Sequence, residues 1–505
     1  MMPDFVSPDP IWLHARIRPA STAAIDLAMG MSWTYRELDT DIQRAVTVLE
    51  ARGVEPGARI AVLAQNSVYQ IILQQAAMRL GAIFVPMNYR LAALELRLLL
   101  RDCTPVLLVG EAVASALPEG CEAISMAAFA DLVAAAEPRP RRTAAIASHE
   151  TCIILYTSGT SGTPKGAMLT PQFLLATAVN FNILGEVDTG CVFLCDSPMF
   201  HVIGIVTQIW PPLLRGGTVI VSPSFDPELT NARLSDATLA VTHYFCVPQM
   251  AEALRHASNF NPSQWTNLKA LFTGGAPNPP TRIRWWLDQG VLIVDGYGMT
   301  ETGTTLGMPL NWEIVRNKAG SVGVPGPLTA VRLVDETDQD VADGAPGEIL
   351  VFGPNVTPGY WNRPEERERA FTADGWIRTG DIGRRDGDGF ISIVDRRKDM
   401  FISGGENVFP VEIEAALISH PAVREASVIG IADERWGEVG RAYIVVATGQ
   451  SLDADELVEY CRTLIARYKI PKEFHFVDTL PRTTSGKVMK HILRSGDWPP
   501  PPPSC

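Results

Sequence analysis

The spacing of apolar and polar residues predicts alternating strands and helices along the first half of the chain. A helix is expected to begin at the capping box of Thr34 and Glu37 and to end at Gly53, because apolar residues between them recur at helical spacing. Short apolar runs predict strands at 60–64, 82–85, 105–109, 218–221, 270–273 and 291–294, with a helix around 71–80. This β-α-β alternation predicts a mostly parallel sheet with helices on its faces.

The pattern changes beyond Gly320, where glycines and prolines become frequent. Short alternating runs at 331–334, 348–352 and 389–394 predict a β-rich subdomain there. Residues 128–148 are rich in Ala, Pro and Arg, and we expect them to form a connection on the surface.

A charged stretch at 395–399 predicts a boundary between a large N-terminal domain, residues 1–396, and a small C-terminal domain, residues 397–495. The small domain shows its own pattern, with helices at 411–418 and 453–468 and strands at 427–431, 443–447 and 474–477. The proline-rich tail, residues 496–505, is expected to be disordered. We therefore predict an α/β fold: a large N-terminal domain of βαβ layers plus a β-rich subdomain, with a small α+β C-terminal domain.

Composition narrows the classes of partner. The chain has 505 residues, 46% of them hydrophobic and 20% charged, which is typical of a soluble globular protein with several domains. Its 43 basic and 56 acidic residues give a net charge of −13, which argues against broad binding to nucleic acid or anionic membranes. The eight cysteines show no CxxC or zinc spacing, and the first residues show no signal-peptide pattern. We expect a cytoplasmic protein with reduced thiols.

Residues 157–166 carry the most informative pattern in the chain. They hold five hydroxyl residues, three glycines and Lys165, and they follow an apolar run. Glycines let backbone N–H groups approach an anion, hydroxyls add donors, and lysine adds a positive charge. We interpret this stretch as a phosphate-binding loop rather than a flexible linker. Pro164 and Gly166 depart from the Walker A pattern, which disfavours a GTPase-type NTPase.

At this loop the sequence resembles the adenylate-forming superfamily of acyl- and aryl-CoA ligases, peptide-synthetase adenylation domains and beetle luciferases. Other matching stretches follow in the same order along the chain: Pro198-Met199-Phe200-His201, Gly274-Gly275-Ala276-Pro277, Gly296-Tyr297-Gly298-Met299-Thr300-Glu301, Thr379-Gly380-Asp381, Asp395-Arg396-Arg397-Lys398-Asp399 and Thr483-Thr484-Ser485-Gly486-Lys487. The sequence of residues 395–414 is most similar to that of bacterial feruloyl-CoA synthetases and fatty-acyl-CoA ligases.

The resemblance implies an ATP-dependent acid:CoA ligase with two half-reactions. A carboxylate attacks the α-phosphate of ATP and releases pyrophosphate, and the thiol of coenzyme A then displaces AMP from the acyl-adenylate. Because the first step brings two anions together, it needs cations and N–H donors at the phosphates. The implied catalytic residues are Lys487, Thr300, Glu301 and His201, of which Lys487 bridges the two anions and His201 forms a gate or pocket wall. Thr157 and Glu301 are implied to hold Mg²⁺.

Further positions that match the family are implied to bind the nucleotide. Asp381 would accept hydrogen bonds from the ribose hydroxyls, and Tyr297 would stack on adenine. The full set is Thr157, Ser158, Gly159, Thr160, Lys165, Gly275, Ala276, Pro277, Gly296, Tyr297, Gly298, Asp381 and Arg396. Ordinary structural explanations remain open, since turns favour aspartate and Tyr297 could be a core aromatic.

The implied acyl pocket is lined by Val202, Ile203, Phe272, Gly275, Gly298 and Gly303. None of these side chains is charged, whereas a dicarboxylate would call for an arginine and an amino acid for an aspartate. The pocket is therefore expected to take an apolar monocarboxylic acid, with its glycines leaving room and Phe272 limiting the length. We favour a hydroxycinnamate or another aryl acid, with a short- or medium-chain fatty acid as the alternative.

The resemblance also implies a coenzyme A site and a mobile C-terminal domain. Gly404 and Gly405 would border the pantetheine arm, while Trp436 and Arg90 would contact the nucleotide part of coenzyme A. Trp436 could equally be a packed aromatic. Lys398 would be the hinge about which the small domain rotates. The expected partners are a small carboxylic acid and coenzyme A, and no binding to nucleic acid is expected. We expect the protein to be a monomer or a homodimer.

Three other functions share these motifs. An adenylation enzyme would load the thiol of a carrier protein, a luciferase-like oxygenase would consume oxygen, and a non-catalytic protein would only sense a nucleotide. The presence of all candidate catalytic residues argues against a sensor, and Trp436 with Arg90 favours free coenzyme A as the acceptor.

Overall fold

In the computed structural model the described residues are 9–111, 117–139, 147–157, 164–276, 278–396, 399–403, 406–433, 435–482, 487–495 and 498, and the side chains at 396, 406 and 407 are not described. These residues form four β-sheets, the two largest of which are built mostly from parallel strands with helices between them. The predicted α/β fold, with a β-rich part and a small α+β part toward the C-terminus, is confirmed.

The largest sheet contains nine strands in the described residues, and parallel pairs run through its centre. Its strands, in spatial order, are β15 (Val324–Pro325), β14 (Gly303–Gly307), β13 (Ile293–Met299), β12 (Ala270–Thr273), β11 (His243–Cys246), β9 (Val192–Cys195), β10 (Thr218–Val221), β1 (Thr22–Asp26) and β2 (Met31–Thr34). Parallel strands that are buried on both faces form continuous apolar runs, and for this reason β10 and β12 have the bounds that the sequence predicts.

Helices lie between these strands in the chain and cover the sheet. They are α1 (Pro10–Ile17), α2 (Tyr35–Glu50), α6 (Pro171–Leu184), α7 (Trp210–Arg215), α8 (Pro227–Ser235), α9 (Pro248–His256), α10 (Pro280–Asp288) and α11 (Trp312–Asn317). The predicted capping box is present at α2, where Thr34 and Glu37 exchange hydrogen bonds. A short π-helical segment, Ile203–Thr207, precedes α7.

The second sheet has six strands in the described residues, in the order β6 (Glu122–Ile124), β5 (Leu107–Gly110), β3 (Arg59–Leu63), β4 (Ile83–Pro86), β7 (Ile153–Thr157) and β8 (Lys165–Leu169). Its helices are α3 (Val68–Leu80), α4 (Ala93–Cys103) and α5 (Met126–Ala135). The prediction of a surface connection over residues 128–148 is wrong for its first part. Ser125 caps α5, and Phe129 and Val133 bury its inner face, so the alanine-rich stretch continues as a helix.

Two smaller sheets follow. The antiparallel third sheet runs in the order β16 (Ala330–Val334), β17 (Pro346–Phe352), β18 (Ile377–Arg385) and β19 (Ile391–Arg396), with α12 (Pro364–Ala370) between β17 and β18. The fourth sheet runs in the order β21 (Glu406–Val408), β20 (Phe401–Ser403), β23 (Gly437–Val446) and β22 (Val423–Asp433), and β24 (Glu473–Phe476) pairs with β23. Its helices are α13 (Pro410–Ile418), α14 (Ala454–Arg462) and α15 (Lys490–Ser495).

One prediction in this last part of the chain meets a different structure. The helix predicted over 453–468 ends at Arg462, and a 3₁₀ turn, Arg467–Lys469, follows it. In the tail, Trp498 packs against a buried cluster that includes Leu480 and Leu493. The other residues of 496–505 lie outside the described part of the chain.

Buried charges join the fourth sheet to the third. Asp395, at the end of β19, is buried and accepts a hydrogen bond of 3.0 Å from the backbone N–H of Val411 in the first turn of α13. Lys490 of α15 pairs with Glu414 of α13 at 2.8 Å. Burial lowers the pKa of Lys490, but the charges of Glu414 and Asp395 outweigh burial, so the pKa is raised and the ammonium stays charged.

The described cysteines are all free thiols, and six of the seven are buried. Burial raises the pKa of Cys103 to about 12, so this thiol stays protonated and unreactive. Within the described ranges, no helix combines the length and apolar character that crossing a membrane requires.

The buried ion cluster at Arg79 yields a first prediction. Arg79 bonds Asp9 at 2.9 Å and Asp39 at 2.6 Å, and all three side chains are at most 7% exposed. Arg79→Leu would remove the cation that Asp9 and Asp39 share and would leave Asp39 with Arg16 at 3.5 Å, so we expect a loss of about 3–5 kcal/mol in the free energy of unfolding in urea. The exposed pair of Arg139 and Glu50 supplies the control, and Arg139→Leu should cost less than about 1 kcal/mol. Equal effects of the two variants would contradict this prediction.

Candidate active site

The matching motifs gather where the parallel strands of the largest sheet end. Gly274 and Gly275 follow β12, the stretch leading to His201 follows β9, and Thr300 and Glu301 form the turn between β13 and β14. Ligands of open parallel sheets bind at the carboxyl ends of strands. We call this side of the sheet the carboxyl edge.

The three predicted pocket glycines differ in what surrounds them. A Cβ atom at Gly298 would lie 1.9 Å from the carbonyl oxygen of Gly303, and a Cβ at Gly303 would lie 2.1 Å from Oγ1 of Thr177. These two glycines therefore permit the close packing of β13, β14 and α6, and the expectation that they leave room for an acid is wrong. Gly275, at φ +78°, would place a Cβ 3.5 Å from Cδ1 of Ile203, so it alone of the three adjoins the pocket wall without a clash.

The residues predicted to hold the nucleoside lie together. The hydroxyl of Tyr297 donates a 2.6 Å hydrogen bond to Oδ2 of Asp381, whose carboxylate is buried on β18. The backbone N–H of Asp381 donates to Oγ1 of Thr379 at 3.1 Å. Asp381 pairs in register with Arg396 of β19. The side chain of Arg396 is not among the described parts of the structure. The arrangement presents one carboxylate in a fixed orientation, which suits a pair of vicinal hydroxyls.

The residues predicted to meet the phosphates form a second group. Thr157 and Lys165 lie opposite each other in the β7–β8 pair, and Oγ1 of Thr157 donates to the Lys165 carbonyl at 3.4 Å. The Lys165 ammonium pairs with Glu366 of α12 and lies 5.6 Å from the ring centre of Tyr360. The Tyr360 hydroxyl donates to Oε1 of Glu301 at 3.1 Å. Tyr360 thus links the predicted phosphate loop to the predicted metal ligand.

The donor set at Glu301 fits magnesium. Mg²⁺ usually takes one or two carboxylates and fills its remaining positions with phosphate oxygens and waters. Glu301 is 7% exposed, and Thr157 adds a half-buried hydroxyl at the end of β7. Bound there with ATP, the ion would neutralise phosphate charge.

His201 packs among aromatic residues and is affected by two positive charges. Its ring packs 4.6 Å from Phe200, which meets Tyr89 at 5.6 Å. Burial, with the positive charges of Lys487 and Arg90, lowers the pKa of His201 to about 4, so the imidazole is neutral at physiological pH. The positive charges of Lys487 and Arg90 thus both act on the His201 ring. A neutral imidazole suits a pocket wall better than a cation would.

The acyl side of the site is apolar. Ile203 begins the π-helical segment, Val202 is half-buried beside it, and Phe272 of β12 is 6% exposed. The ring of Phe272 meets Phe181 of α6 at 5.0 Å, and Phe245 of β11 pairs with Phe272 in register and meets Phe181 at 6.3 Å. We call Phe181, Phe245 and Phe272 the aromatic floor. Phe181 and Phe272 are buried, Phe245 is half-buried, and His243 stacks on Phe272 with ring centres 5.6 Å apart. Uncharged rings of this kind suit an aromatic guest.

Sequence reasoning missed several residues of this site. Asp295 directly precedes the Gly296-Tyr297 motif, accepts from Thr273, and accepts a 3.1 Å hydrogen bond from Asn278. Burial raises the pKa of Asp295 to about 6. Its position beside the motif could have indicated it, whereas Tyr360 and Glu366 carry no comparable signal because they lie far from the loop in sequence.

The predicted coenzyme A residues are only partly described. Trp436 is 40% exposed in the turn between β22 and β23, and the Arg435 guanidinium lies 4.9 Å from the centre of its ring, so it is no core aromatic. Arg90 is exposed and lies 5.3 Å from the ring centre of Tyr89. Gly296, Ala276 and Thr300 are half-buried at the carboxyl edge. The predicted residues that lie outside the described part of the chain are Ser158, Gly159, Thr160, Pro277, Lys398, Gly404 and Gly405.

Comparison with known proteins assigns the family. The AMP-binding enzyme model matches residues 11–361, and the AMP-binding enzyme C-terminal domain model matches residues 412–487. A feruloyl-CoA synthase of Amycolatopsis sp is 39% identical over 95% of this chain and 97% of its own length. An indoleacetate–CoA ligase of Aromatoleum aromaticum is 37% identical over 95% of this chain and 96% of its own. The o-succinylbenzoate coenzyme A synthetase of Bacillus subtilis, solved with ATP and a magnesium ion, is similar at a TM-score of 0.86 and 30% identity, with 97% and 100% of the two chains covered.

The chain belongs to the AMP-binding enzymes, the adenylate-forming family that the motifs indicate. Within it, the protein is an acid–thiol ligase, an AMP-forming acyl- or aryl-CoA synthetase that uses ATP, Mg²⁺ and coenzyme A.

The lowered pKa of His201 yields a prediction about stability and pH. The ring has a pKa of about 4 when folded and near 6.5 when unfolded, so between these values the unfolded chain binds more protons and stability falls as pH falls. In His201→Gln this contribution is absent. We therefore expect the variant to lose about 2 kcal/mol less than the wild type between pH 7 and pH 5, measured by urea unfolding at both values. Identical losses would show that His201 is not held neutral by burial.

Proposed function

We propose that this synthetase activates an aryl acid of the hydroxycinnamate type. The observation that carries the proposal is the aromatic floor, three phenylalanine rings with no charged side chain among the predicted pocket residues. A planar ring can pack against such a floor, while a second carboxylate would be buried without a cation. The relatives named for feruloyl-CoA and indoleacetate act on acids that carry a ring, which supports the same class.

Lys487 is proposed to supply the cation for adenylation. The carboxylate of the acid and the α-phosphate of ATP repel each other, and an ammonium between them would offset that repulsion. The effect of the Lys487 charge on His201 supports this role, because His201 borders the acyl side of the site. Thr300 and Glu301 would act at the phosphates, Lys165 at the β- and γ-phosphates, and Tyr297, Asp381 and Arg396 at the nucleoside.

The second half-reaction, transfer of the acyl group to coenzyme A, is proposed to use a different face of the C-terminal domain. Residues 397–495 would rotate about Lys398 after pyrophosphate leaves, so that Gly404, Gly405 and the exposed Trp436 meet coenzyme A. Free coenzyme A is the expected acceptor rather than a carrier protein. The unreactive thiols fit a reducing compartment, and we expect a cytoplasmic monomer or homodimer.

The alternative substrate is a short- or medium-chain fatty acid. Pyrophosphate release with ATP and Mg²⁺, measured with and without coenzyme A, separates the possibilities. The acids should include ferulate, 4-hydroxycinnamate, cinnamate, benzoate and saturated acids of two to sixteen carbons. We expect aryl propenoic acids to release pyrophosphate and to yield thioester and AMP only with coenzyme A. A preference for saturated acids would contradict the proposed substrate, and product that is independent of coenzyme A would contradict the proposed acceptor.

The role of Lys487 yields a separate prediction. Lys487→Ala should slow adenylation by about 10²- to 10³-fold, because the preorganised cation is lost. When preformed acyl-adenylate is supplied, its transfer to coenzyme A should stay close to the wild-type rate. The control is Lys472→Ala, which removes a half-exposed lysine of the same domain that pairs with Asp433. We expect this variant to keep the wild-type rates of adenylation and of transfer to coenzyme A. Equal slowing of both half-reactions by Lys487→Ala would contradict a role confined to adenylation.

A further inference from the structure

One buried amide group near the acyl side lacks a partner. Gln208 directly follows the π-helical segment and is fully buried. Its Nε2 donates a 2.5 Å hydrogen bond to the carbonyl oxygen of Phe245. Its Oε1 has no hydrogen-bond partner among the residues that the structure describes. A buried amide oxygen without a donor is costly, so its retention needs an explanation.

The end of strand β11 accounts for the position of this amide. Strand β9 pairs with His243 and Tyr244 of β11 but not with Phe245, so the end of β11 is open to a side-chain donor at the carboxyl edge. Gln208 fills this place. Because Nε2 is bound to a main-chain carbonyl, the amide plane is fixed, and Oε1 is held as an acceptor in one orientation.

The same amide lies between two elements that carry predicted or neighbouring pocket residues, the π-helical segment and strand β11. On the wall side, Ile203 at the start of the π-helical segment lies 3.5 Å from the Cβ position of Gly275. On the floor side, the ring of Phe245 lies 3.1 Å from the Cβ position of Gly274, and its carbonyl is the group that Gln208 binds. Gln208 therefore connects the segment that begins at Ile203 to the main chain of Phe245, and its Oε1 is a buried acceptor without a partner among the described residues.

We propose that Oε1 of Gln208 accepts a hydrogen bond from a donor on the ring of the acid, either a phenolic hydroxyl or a ring N–H. This inference rests on the proposed aryl-acid function and adds the residue that distinguishes one aryl acid from another. An acid with a ring donor satisfies the buried oxygen. Cinnamate, which has no donor, leaves the oxygen unpaired, and 4-methoxycinnamate places a second acceptor against it.

The matched acids give the first test, on the wild-type enzyme. We expect kcat/KM for adenylation of 4-hydroxycinnamate to exceed that of cinnamate and of 4-methoxycinnamate by roughly 10- to 100-fold. If the enzyme activates all three acids at similar rates, Gln208 does not recognise a ring donor and this inference is wrong, while the aryl-acid function stands. If the enzyme activates saturated acids and none of the three, the proposed function fails first.

The variant Gln208→Met gives the second test, because methionine has nearly the same shape without polar atoms. The ratio of kcat/KM for 4-hydroxycinnamate over cinnamate should fall by roughly 10- to 100-fold, mainly through loss on the hydroxylated acid. A structural effect on the Phe245 carbonyl would lower both acids equally and leave the ratio unchanged, which would overturn the assignment. Gln74→Met is the matched control, because Gln74 of α3 is also fully buried and its amide lacks partners among the described residues. In this control variant the ratio of kcat/KM for 4-hydroxycinnamate over cinnamate should equal that of the wild type.

Discussion

The buried carboxylate of Asp395 connects the part of the chain that carries Lys487 to the part that carries the pocket. Asp395 ends β19 and binds the first turn of α13, and its charge helps to keep Lys490 ionised shortly after Lys487. A carboxylate at the N-terminal turn of a helix is also favoured by the helix dipole. This junction holds the C-terminal part in the arrangement in which the charge of Lys487 reaches His201. In the proposed mechanism adenylation depends on that arrangement, because two anions must meet and Lys487 would supply the cation from a distant part of the sequence.

The site combines fixed charges with an apolar acyl side. Tyr297 orients Asp381, and Tyr360 orients Glu301, so both carboxylates are positioned before any nucleotide arrives. Preorganised groups of this kind lose little in reorganisation during the reaction. By contrast, in the proposed function the aromatic floor would hold the acid through packing, and Gln208 would add one directional contact. The residues proposed for the phosphate chemistry and those proposed for the choice of acid are therefore different.

Much of the fold could be predicted because the relevant signals are local. Buried parallel strands form unbroken apolar runs, so β10 and β12 have their predicted bounds, and the capping box marked the start of α2. The alanine-rich α5 was missed, because its composition resembles a connection and only the packing of Phe129 and Val133 shows otherwise.

Motifs indicated candidate residues of the site, whereas contacts that join distant segments gave no signal in the sequence. Lys165 meets Glu366 some 201 positions later in the chain, and no spacing rule predicts such a pair. The reason for glycine at position 298 was likewise hidden, since the carbonyl that excludes a side chain belongs to a neighbouring strand. Gln208 carries no sequence signal of its own, because its partner is a main-chain carbonyl of β11 that lies 37 positions later in the chain.

In the proposed first half-reaction the carboxylate of the acid becomes bonded to the α-phosphate of ATP. The most direct test is to label both carboxylate oxygens of 4-hydroxycinnamate with ¹⁸O and to analyse the products of one turnover with coenzyme A by mass spectrometry. Thiolysis of an acyl-adenylate breaks the bond between the acyl carbon and the bridging oxygen, so one labelled oxygen should appear in AMP. Label in inorganic phosphate together with ADP, or AMP without label, would contradict the account.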